Sequence, residues 1–213
     1  MLVLHYTGMK TAQDAIDRLR DPQSRVSSHY VVDEDGTTYR LVAEHRRAWH
    51  AGISYWRGHT GVNDTSIGIE IVNPGHEWGY RPFPPAQIQS VTALSQAILA
   101  RHPIPARNVV AHSDVAPDRK QDPGELFPWQ PLAAAGIGLW PHAEGHETGP
   151  LAWDEITVRS ALASIGYDAT HPDLATLLRA FQRHWHPYSV TGHADAGTIL
   201  RLDGLLRMVA PNE

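Results

Sequence analysis

The sequence predicts an α/β protein, with a mixed central β-sheet flanked by helices and a small C-terminal unit of three helices. Two short apolar segments that each run into a histidine, over 2–7 and 108–112, indicate strands of the sheet. A segment that opens at Pro85 has apolar residues at helical spacing and predicts a helix covering one sheet face. Over 140–150 the composition changes to Pro, Gly, His and Glu, and three further amphipathic segments follow.

Composition excludes several classes of site and partner. The 213 residues carry a net charge of -5 and contain no long basic run, which argues against a nucleic-acid partner. No cysteine is present, so a zinc site would have to use imidazole and carboxylate ligands. The longest uncharged apolar stretch, around 133–140, is far shorter than the roughly 20 residues that cross a bilayer. We therefore expect no transmembrane segment, and we expect no signal peptide before the first strand.

The N-terminal elements can be placed in order. The strand over 2–7 leads into a polar helix, Ala12–Arg20, which an Asp-Pro pair ends. Segments 28–32 and 37–42 are rich in β-branched and aromatic residues, and an Asp-Gly turn separates them. These two segments predict a β-hairpin.

The middle of the chain completes the predicted sheet. In 66–72, isoleucines alternate with Gly68 and Glu70, which places a carboxylate inside a central strand. The helix from Pro85 follows, and then the strand over 108–112. The apolar positions of that helix are Ile88, Val91, Leu94, Ile98 and Leu99.

We predict a catalytic domain over 1–140, a linker over 141–152 and a three-helix domain over 153–213. The last range is long enough to form a small core of its own. Its predicted apolar faces contain Ile156, Leu162 and Ile165, then Leu174, Leu177, Leu178 and Phe181, then Ile199, Leu202, Leu205, Leu206 and Val209.

Two of the fourteen histidines stand at predicted strand ends, where a rigid sheet can fix an imidazole ring. A catalytic zinc usually has three protein ligands and one open position, so His5 and His112 are candidate ligands. The third ligand can come from the loop after His112, which offers Asp114, Asp118 and Asp122. A Pro-Gly turn follows Asp122, but the residues alone leave these three alternatives open.

Four motifs occur in one consistent order from residue 2 to about 140. They are His5-Tyr6-Thr7, Trp49-His50-Ala51-Gly52, the segment 63–70 that ends in Gly68-Ile69-Glu70, and the segment 112–124 that ends in Asp122-Pro123-Gly124. This part of the chain resembles the zinc-dependent N-acetylmuramoyl-L-alanine amidases of the type 2 family. The resemblance is greatest to the subgroup that acts on 1,6-anhydromuropeptides and cell-wall polymer.

The resemblance implies one zinc ion per chain, held by His5, His112 and Asp122. It implies Glu70 as the general base and Lys120 near the developing oxyanion. The expected reaction is hydrolysis of the amide bond between N-acetylmuramic acid, or its 1,6-anhydro form, and L-alanine of the stem peptide. Such chemistry requires a metal-activated water and a group that moves its proton.

Further residues are candidates for substrate contact. His29, His50, Trp49 and Asn63 are expected to line the cleft. Four aromatic residues lie in or near the predicted loops: Trp56, Trp78, Tyr80 and Phe83. They either stack on sugar rings of the substrate or pack the loops against the protein. His184 and His186 are two residues apart on a helix and cannot easily share one ion, so both are predicted on the helix surface.

The C-terminal segments around 180–182 and 191–198 are similar to the peptidoglycan-binding three-helix domain. This similarity implies peptidoglycan or muropeptides as partners and favours the periplasm or cell envelope, with the cytoplasm as the alternative location. One rival function is a peptidoglycan recognition protein without catalysis, and another is a zinc peptidase that cuts within the stem peptide. The complete ligand set favours an enzyme over a recognition protein. The order of the motifs argues against a zinc peptidase.

Overall fold

A computed structural model describes residues 1–141 and 152–210. The strands are β1 (Leu2–Tyr6), β2 (Tyr30–Val32), β3 (Thr38–Arg40), β4 (Ile67–Ile71) and β5 (Val109–Ala111). The helices before the predicted linker are α1 (Ala12–Arg20), α2 (Val62–Thr65), α3 (Gly75–Trp78), α4 (Pro85–Arg101), α5 (His112–Val115) and α6 (Trp129–Ala134). The helices after it are α7 (Glu155–Ile165), α8 (Leu174–Trp185) and α9 (Ala196–Val209).

The five strands form one mixed sheet in the order β3-β2-β4-β1-β5. Strand β1 is parallel to both β4 and β5, and β2 is parallel to β4. Strands β2 and β3 form the predicted antiparallel hairpin, with Gly36 in the left-handed region at φ 89°. This architecture confirms the predicted fold class.

The strand register determines which side chains share a sheet face. His5 on β1 lies directly beside Glu70 on β4. Because side chains at paired positions of neighbouring strands point to the same face, the imidazole and the carboxylate project together. His5 is the fourth of five residues in β1 rather than the last, and His112 is the first residue of α5 rather than the end of a strand.

Helix α4 covers the sheet with a face slightly different from the predicted one. Val91 and Ile98 are buried, whereas Ile88, Leu94 and Leu99 are only partly buried at its margin. The buried Gln87 completes the face, because its side-chain amide donates to the carbonyls of Val32 and Val72, at 3.1 and 2.8 Å. Hydrogen bonds of this kind let a polar side chain take a core position.

The three C-terminal helices occur where the sequence predicts them. Each begins at an aspartate whose carboxylate accepts a backbone N–H of the first turn, which is a favourable helix N-cap. The prediction was wrong for Ile156, which is 79% exposed. Val158 takes the core position instead, and residues two apart on a helix point about 200° apart.

The helical unit packs directly on the sheet-containing part of the chain. One cluster of buried apolar residues contains Leu4 and Trp56 from the first part together with Phe181 and Leu202 from the second. Arg57 strengthens the contact, since its guanidinium donates to two carbonyls at the end of α7. The predicted linker over 141–152 falls mostly outside the described residues. Within 1–141 and 152–210, the helices lack the combination of length and apolar character that crossing a membrane requires.

Candidate metal centre and active-site cleft

Three buried side chains converge at the C-terminal edge of the sheet. His5 comes from β1, His112 from the start of α5, and Asp122 from the loop that follows. The His5 and His112 Nδ1 atoms are 2.8 Å apart, and Asp122 Oδ2 lies 3.1 and 2.9 Å from them. The three residues form a group that could hold a metal ion.

Hydrogen bonds behind His5 determine which of its ring nitrogens carries the proton. The Ser66 hydroxyl donates to the carbonyl of Val62 at 2.5 Å, so its oxygen is free to accept from His50 Nε2 at 3.2 Å. His50 Nδ1 must then accept from His5 Nε2, which is 3.0 Å away. In a neutral ring this leaves His5 Nδ1 with its lone pair directed at the triad.

The same reasoning applies to His112. Its Nε2 lies 3.1 Å from the carbonyl oxygen of Ala51, which can only accept, so Nε2 carries the proton and Nδ1 the lone pair. Two imidazole lone pairs and one carboxylate oxygen therefore face one another without an intervening proton. Such a set of acceptors could hold a cation between them.

The donor set fits a metal of the zinc type. Two nitrogens and one oxygen are ordinary zinc ligands, and three protein ligands leave a fourth position open for water or substrate. Ligand atoms of a tetrahedral site with bonds of about 2.0–2.1 Å lie roughly 3.3 Å apart. The triad needs only a small expansion to reach this spacing. In each histidine the other ring nitrogen also donates its N–H in a hydrogen bond to a fixed partner, as metal-bound imidazoles generally do.

The charge states of the triad also suit metal binding. Burial, together with the neighbouring His112, lowers the pKa of His5 to about 4, so the ring is neutral near pH 7. Burial raises the pKa of Asp122, but a proton on the facing nitrogen of His112 or His5 lowers it below its usual range, and a cation held between the three side chains would act in the same direction. A neutral imidazole and an ionised carboxylate are the forms that coordinate a metal.

Glu70 and Lys120 line the same cleft as the triad. Burial raises the pKa of Glu70, and the nearby Asp122 carboxylate raises it further, whereas the Lys120 ammonium opposes both effects. Glu70 Oε2 is buried and has no hydrogen-bond partner among the described residues. A buried acceptor without a partner, beside a metal triad, is available to take a proton from water.

The cleft has a volume of about 1010 Å³ and is open to solvent. Trp49 and Trp78 both line it, and each indole is about half exposed. Each indole also has a cation near its face, with Lys10 Nζ 4.4 Å from the Trp78 ring centroid and the Arg47 guanidinium carbon 5.9 Å from that of Trp49. The cleft therefore offers flat aromatic surfaces near the triad.

The structure separates the four predicted substrate contacts into two groups. Trp49 and His50 line the cleft. His29 does not: it is fully buried, with one ring nitrogen accepting from the Gly68 N–H and the other donating to a carbonyl. Asn63 instead accepts the backbone N–H groups of His50 and Ala51 at 3.1 and 2.8 Å. His29 and Asn63 thus have scaffold contacts, because each side chain satisfies backbone hydrogen-bonding groups.

The two competing aspartates lie outside the triad. Asp114 is buried and bonded to Ala111, Tyr167 and His184. Asp118 is largely exposed and lies 2.5 Å from His171. Asp122 is the member of the three that joins the two histidines, and its peptide bond to the following proline is cis.

The prediction that His184 lies on the helix surface was wrong. Its ring is buried and stacks between Trp129 and Trp185, at centroid distances of 3.7 and 3.6 Å. His186 is only partly buried and lies 3.9 Å from Asp195. Helical spacing alone cannot identify an inward-facing histidine, because the partner carboxylate is 70 residues away.

The four loop aromatic residues occupy different environments. Trp56 and Phe83 belong to the core, whereas Trp78 lines the cleft. Tyr80 supports the loop that carries Asp122, since its hydroxyl donates to the Pro123 carbonyl at 2.8 Å. Sequence reasoning missed this contact, as it missed the roles of Ser66 and of Arg119, whose guanidinium donates to the Ala51 carbonyl at 3.2 Å.

Comparison with known proteins gives consistent results. The family model described as N-acetylmuramoyl-L-alanine amidase matches residues 1–125. N-acetylmuramoyl-L-alanine amidase AmiD of Escherichia coli is 42% identical, over 97% of this chain and 82% of the relative. 1,6-Anhydro-N-acetylmuramyl-L-alanine amidase AmpD of the same organism is 40% identical but covers 49% of this chain and 55% of its own length.

Two solved structures match nearly the whole chain. One is AmiD of E. coli with the substrate anhydro-N-acetylmuramic acid-L-Ala-D-gamma-Glu-L-Lys, with a TM-score of 0.87, 41% identity, and coverage of 98% of this chain and 88% of that one. The other is AmpDh3 of Pseudomonas aeruginosa in complex with anhydromuramic pentapeptide, with a TM-score of 0.88, 36% identity, and coverage of 98% and 91%. With the metal-binding geometry above, these matches show that the chain belongs to the N-acetylmuramoyl-L-alanine amidase family.

Proposed function

We propose that this protein hydrolyses the amide bond between N-acetylmuramic acid, or its 1,6-anhydro form, and L-alanine of the stem peptide. The observation that carries the proposal is the convergence of three acceptor atoms, from His5, His112 and Asp122, beside the unpartnered carboxylate of Glu70. The related AmiD structure contains the substrate anhydro-N-acetylmuramic acid-L-Ala-D-gamma-Glu-L-Lys, and the AmpDh3 structure contains anhydromuramic pentapeptide, which supports this choice of substrate.

We infer that the metal is zinc, one ion per chain. The ligand set of two imidazoles and one carboxylate, with an open position, is typical of catalytic zinc. Bound there, zinc would act as a Lewis acid on the scissile carbonyl and lower the pKa of water towards about 7.

We infer roles for Glu70 and Lys120 that are consistent with their positions in the cleft. The Glu70 carboxylate takes a proton from the attacking water and delivers it to the L-alanine nitrogen as the C–N bond breaks. The Lys120 ammonium stabilises the negative charge that develops on the carbonyl oxygen. The products are a muramic lactyl carboxylate and a peptide with a free L-alanine amino group. Burial raises the pKa of Glu70, which suits a group that first accepts and then returns a proton.

The complete site favours an enzyme over a recognition protein. A protein that only binds peptidoglycan needs neither the metal triad nor a buried carboxylate without a partner. Both are present here, and the cleft is open.

Mass spectrometry of a digested 1,6-anhydromuropeptide tests the proposal. We expect one water to be added, the amino sugar to be released, and a peptide with a free N-terminal L-alanine to appear. Asp122→Asn should abolish the reaction. Asp118→Asn should retain it, because this aspartate lies in the same loop but outside the triad. Cleavage within the peptide, or intact substrate with zinc-loaded protein, would disprove the proposal.

A further inference from the structure

A buried carboxylate lies close behind one ligand of the candidate metal centre. Asp114, two residues after His112, accepts three hydrogen bonds. Its Oδ2 atom accepts from the Ala111 N–H at 2.8 Å and from His184 Nδ1 at 2.6 Å. Its Oδ1 atom accepts from the Tyr167 hydroxyl at 2.5 Å. We call this arrangement of Tyr167 and His184 around Asp114 the clasp.

Two of the three donors come from the C-terminal part of the chain. Tyr167 follows α7, and His184 lies on α8. Both residues lie beyond the segment 1–125 that the family model matches. The clasp therefore joins the helical unit to helix α5, which carries His112 and Asp114.

Packing fixes both donors in place. The His184 ring is stacked between two tryptophan rings, and the Tyr167 ring meets Trp56 edge to face at 5.2 Å. Both residues are almost completely buried. Neither side chain can turn away from Asp114 without disturbing the surrounding core, because interiors are packed to crystal-like density.

The carboxylate also holds the backbone beside the ligand. The N–H that Asp114 accepts belongs to Ala111, the residue immediately before His112. If the Tyr167 and His184 donors were removed, the carboxylate would remain buried with too few partners and would have to move to find others. Because Asp114 accepts from the Ala111 N–H, this movement would shift the backbone from which the His112 ring projects.

We propose that Tyr167 and His184 are positioning residues for the metal ligand His112, and that they act through Asp114. The C-terminal helices are then part of the construction of the metal centre rather than an independent appendage. This inference rests on the proposed zinc site. It concerns metal affinity and can be tested without measuring amidase activity.

Hydroxyl removal with a matched control tests the clasp in the full-length chain. Tyr167→Phe removes the donor and keeps the ring. Tyr30→Phe removes a similarly short hydrogen bond, 2.5 Å long, from a buried tyrosine to Glu44, on a strand that carries no ligand of the triad. Both variants should lose thermal stability. Competition with a chromophoric chelator should show zinc affinity lowered by about tenfold in Tyr167→Phe and unchanged within about twofold in Tyr30→Phe.

A second pair of variants distinguishes the hydrogen bond from the shape of the side chain. His184→Asn keeps an N–H donor close to the position of Nδ1, whereas His184→Leu has a similar shape without it. We expect zinc affinity near that of the wild type for the first and about tenfold weaker for the second. Equal zinc affinity in Tyr167→Phe, His184→Leu and the wild type overturns the clasp while the proposed function stands. A wild-type protein that binds no zinc overturns both.

Discussion

At the scale of single residues, His50 links the scaffold to the metal centre. It accepts a hydrogen bond from His5 and donates one to Ser66. Burial, followed by the effects of His5 and His112, lowers the pKa of His50 well below its usual value, so the ring stays neutral. A neutral His50 with a protonated Nε2 selects the His5 tautomer that directs its lone pair at the triad.

Two substitutions of similar shape test this role. His50→Asn retains an acceptor close to the position of Nδ1, whereas His50→Leu does not. We predict that zinc binds about 10–100-fold more weakly to His50→Leu, with a much smaller loss in His50→Asn. Chelator competition measures the difference. Equal affinity in the two variants would show that His50 only fills space.

The residue scale also shows how far the sequence could be interpreted. His5 and His112 could be identified from strand ends in a protein without cysteine, because a rigid sheet and the lack of thiolates leave few alternatives. Asp122 could not be distinguished from Asp114 by spacing, and the family resemblance was needed. The burial of His184 depends on a partner 70 residues away, which no local pattern can reveal.

At the scale of elements, a clamp centred on Glu44 joins strand β2 to the end of α4. Its carboxylate accepts from Arg101 and from the Tyr30 hydroxyl, and it lies 2.7 Å from His102. The Arg101 hydrogen bond is the main reason that the pKa of Glu44 is lowered to about 2, since partial burial acts in the opposite direction. This clamp contributes to folding rather than to the cleft.

The lowered pKa predicts the pH dependence of the clamp. A carboxylate whose pKa is lower in the folded chain contributes stability above its unfolded pKa of about 4.5 and loses it as the pH falls towards about 2. Glu44→Gln should therefore lower the free energy of unfolding at pH 7 by about 1–2 kcal/mol, and the difference from wild type should shrink below pH 4.5. Thermal melts between pH 7 and pH 3 measure it.

A matched surface pair provides the control. Glu34 also accepts hydrogen bonds from two nitrogens of one arginine, Arg81, but both side chains are exposed. Glu34→Gln should change stability by less than about 0.5 kcal/mol. A larger loss for Glu34→Gln than for Glu44→Gln would contradict this explanation of the clamp.

The elements themselves were largely predictable. Helix α1 and the start of α4 agree with the sequence patterns, because capping, proline and apolar spacing act locally. The face of α4 was less predictable. Gln87 is buried because it meets carbonyl groups of two strands, and a hydrophobic pattern does not contain that information.

At the scale of the whole molecule, the C-terminal helices share a continuous core with the sheet-containing part. The division into two domains and the envelope location remain predictions. A purely anchoring domain would matter mainly for polymeric substrate. The shared core and the clasp indicate instead that the helices also stabilise the active site.

Truncation after residue 141 separates these two possibilities. We predict that the shortened chain loses activity on soluble muropeptide to a similar extent as on purified cell wall, because it exposes core residues such as Trp56 and leaves Asp114 with fewer partners. Product release from both substrates measures the loss. Full activity on the soluble substrate, with loss on the polymer alone, would support a simple anchor.

The most direct test of the central claim is the zinc content of the purified protein, measured by plasma mass spectrometry for wild type, His5→Ala and Glu70→Gln. We predict about one zinc per chain in the wild type and in Glu70→Gln, because removing the proton acceptor leaves coordination intact. His5→Ala should retain less than about one tenth of the metal, since it removes one of three ligands. Full zinc retention in His5→Ala would contradict the assigned ligand set.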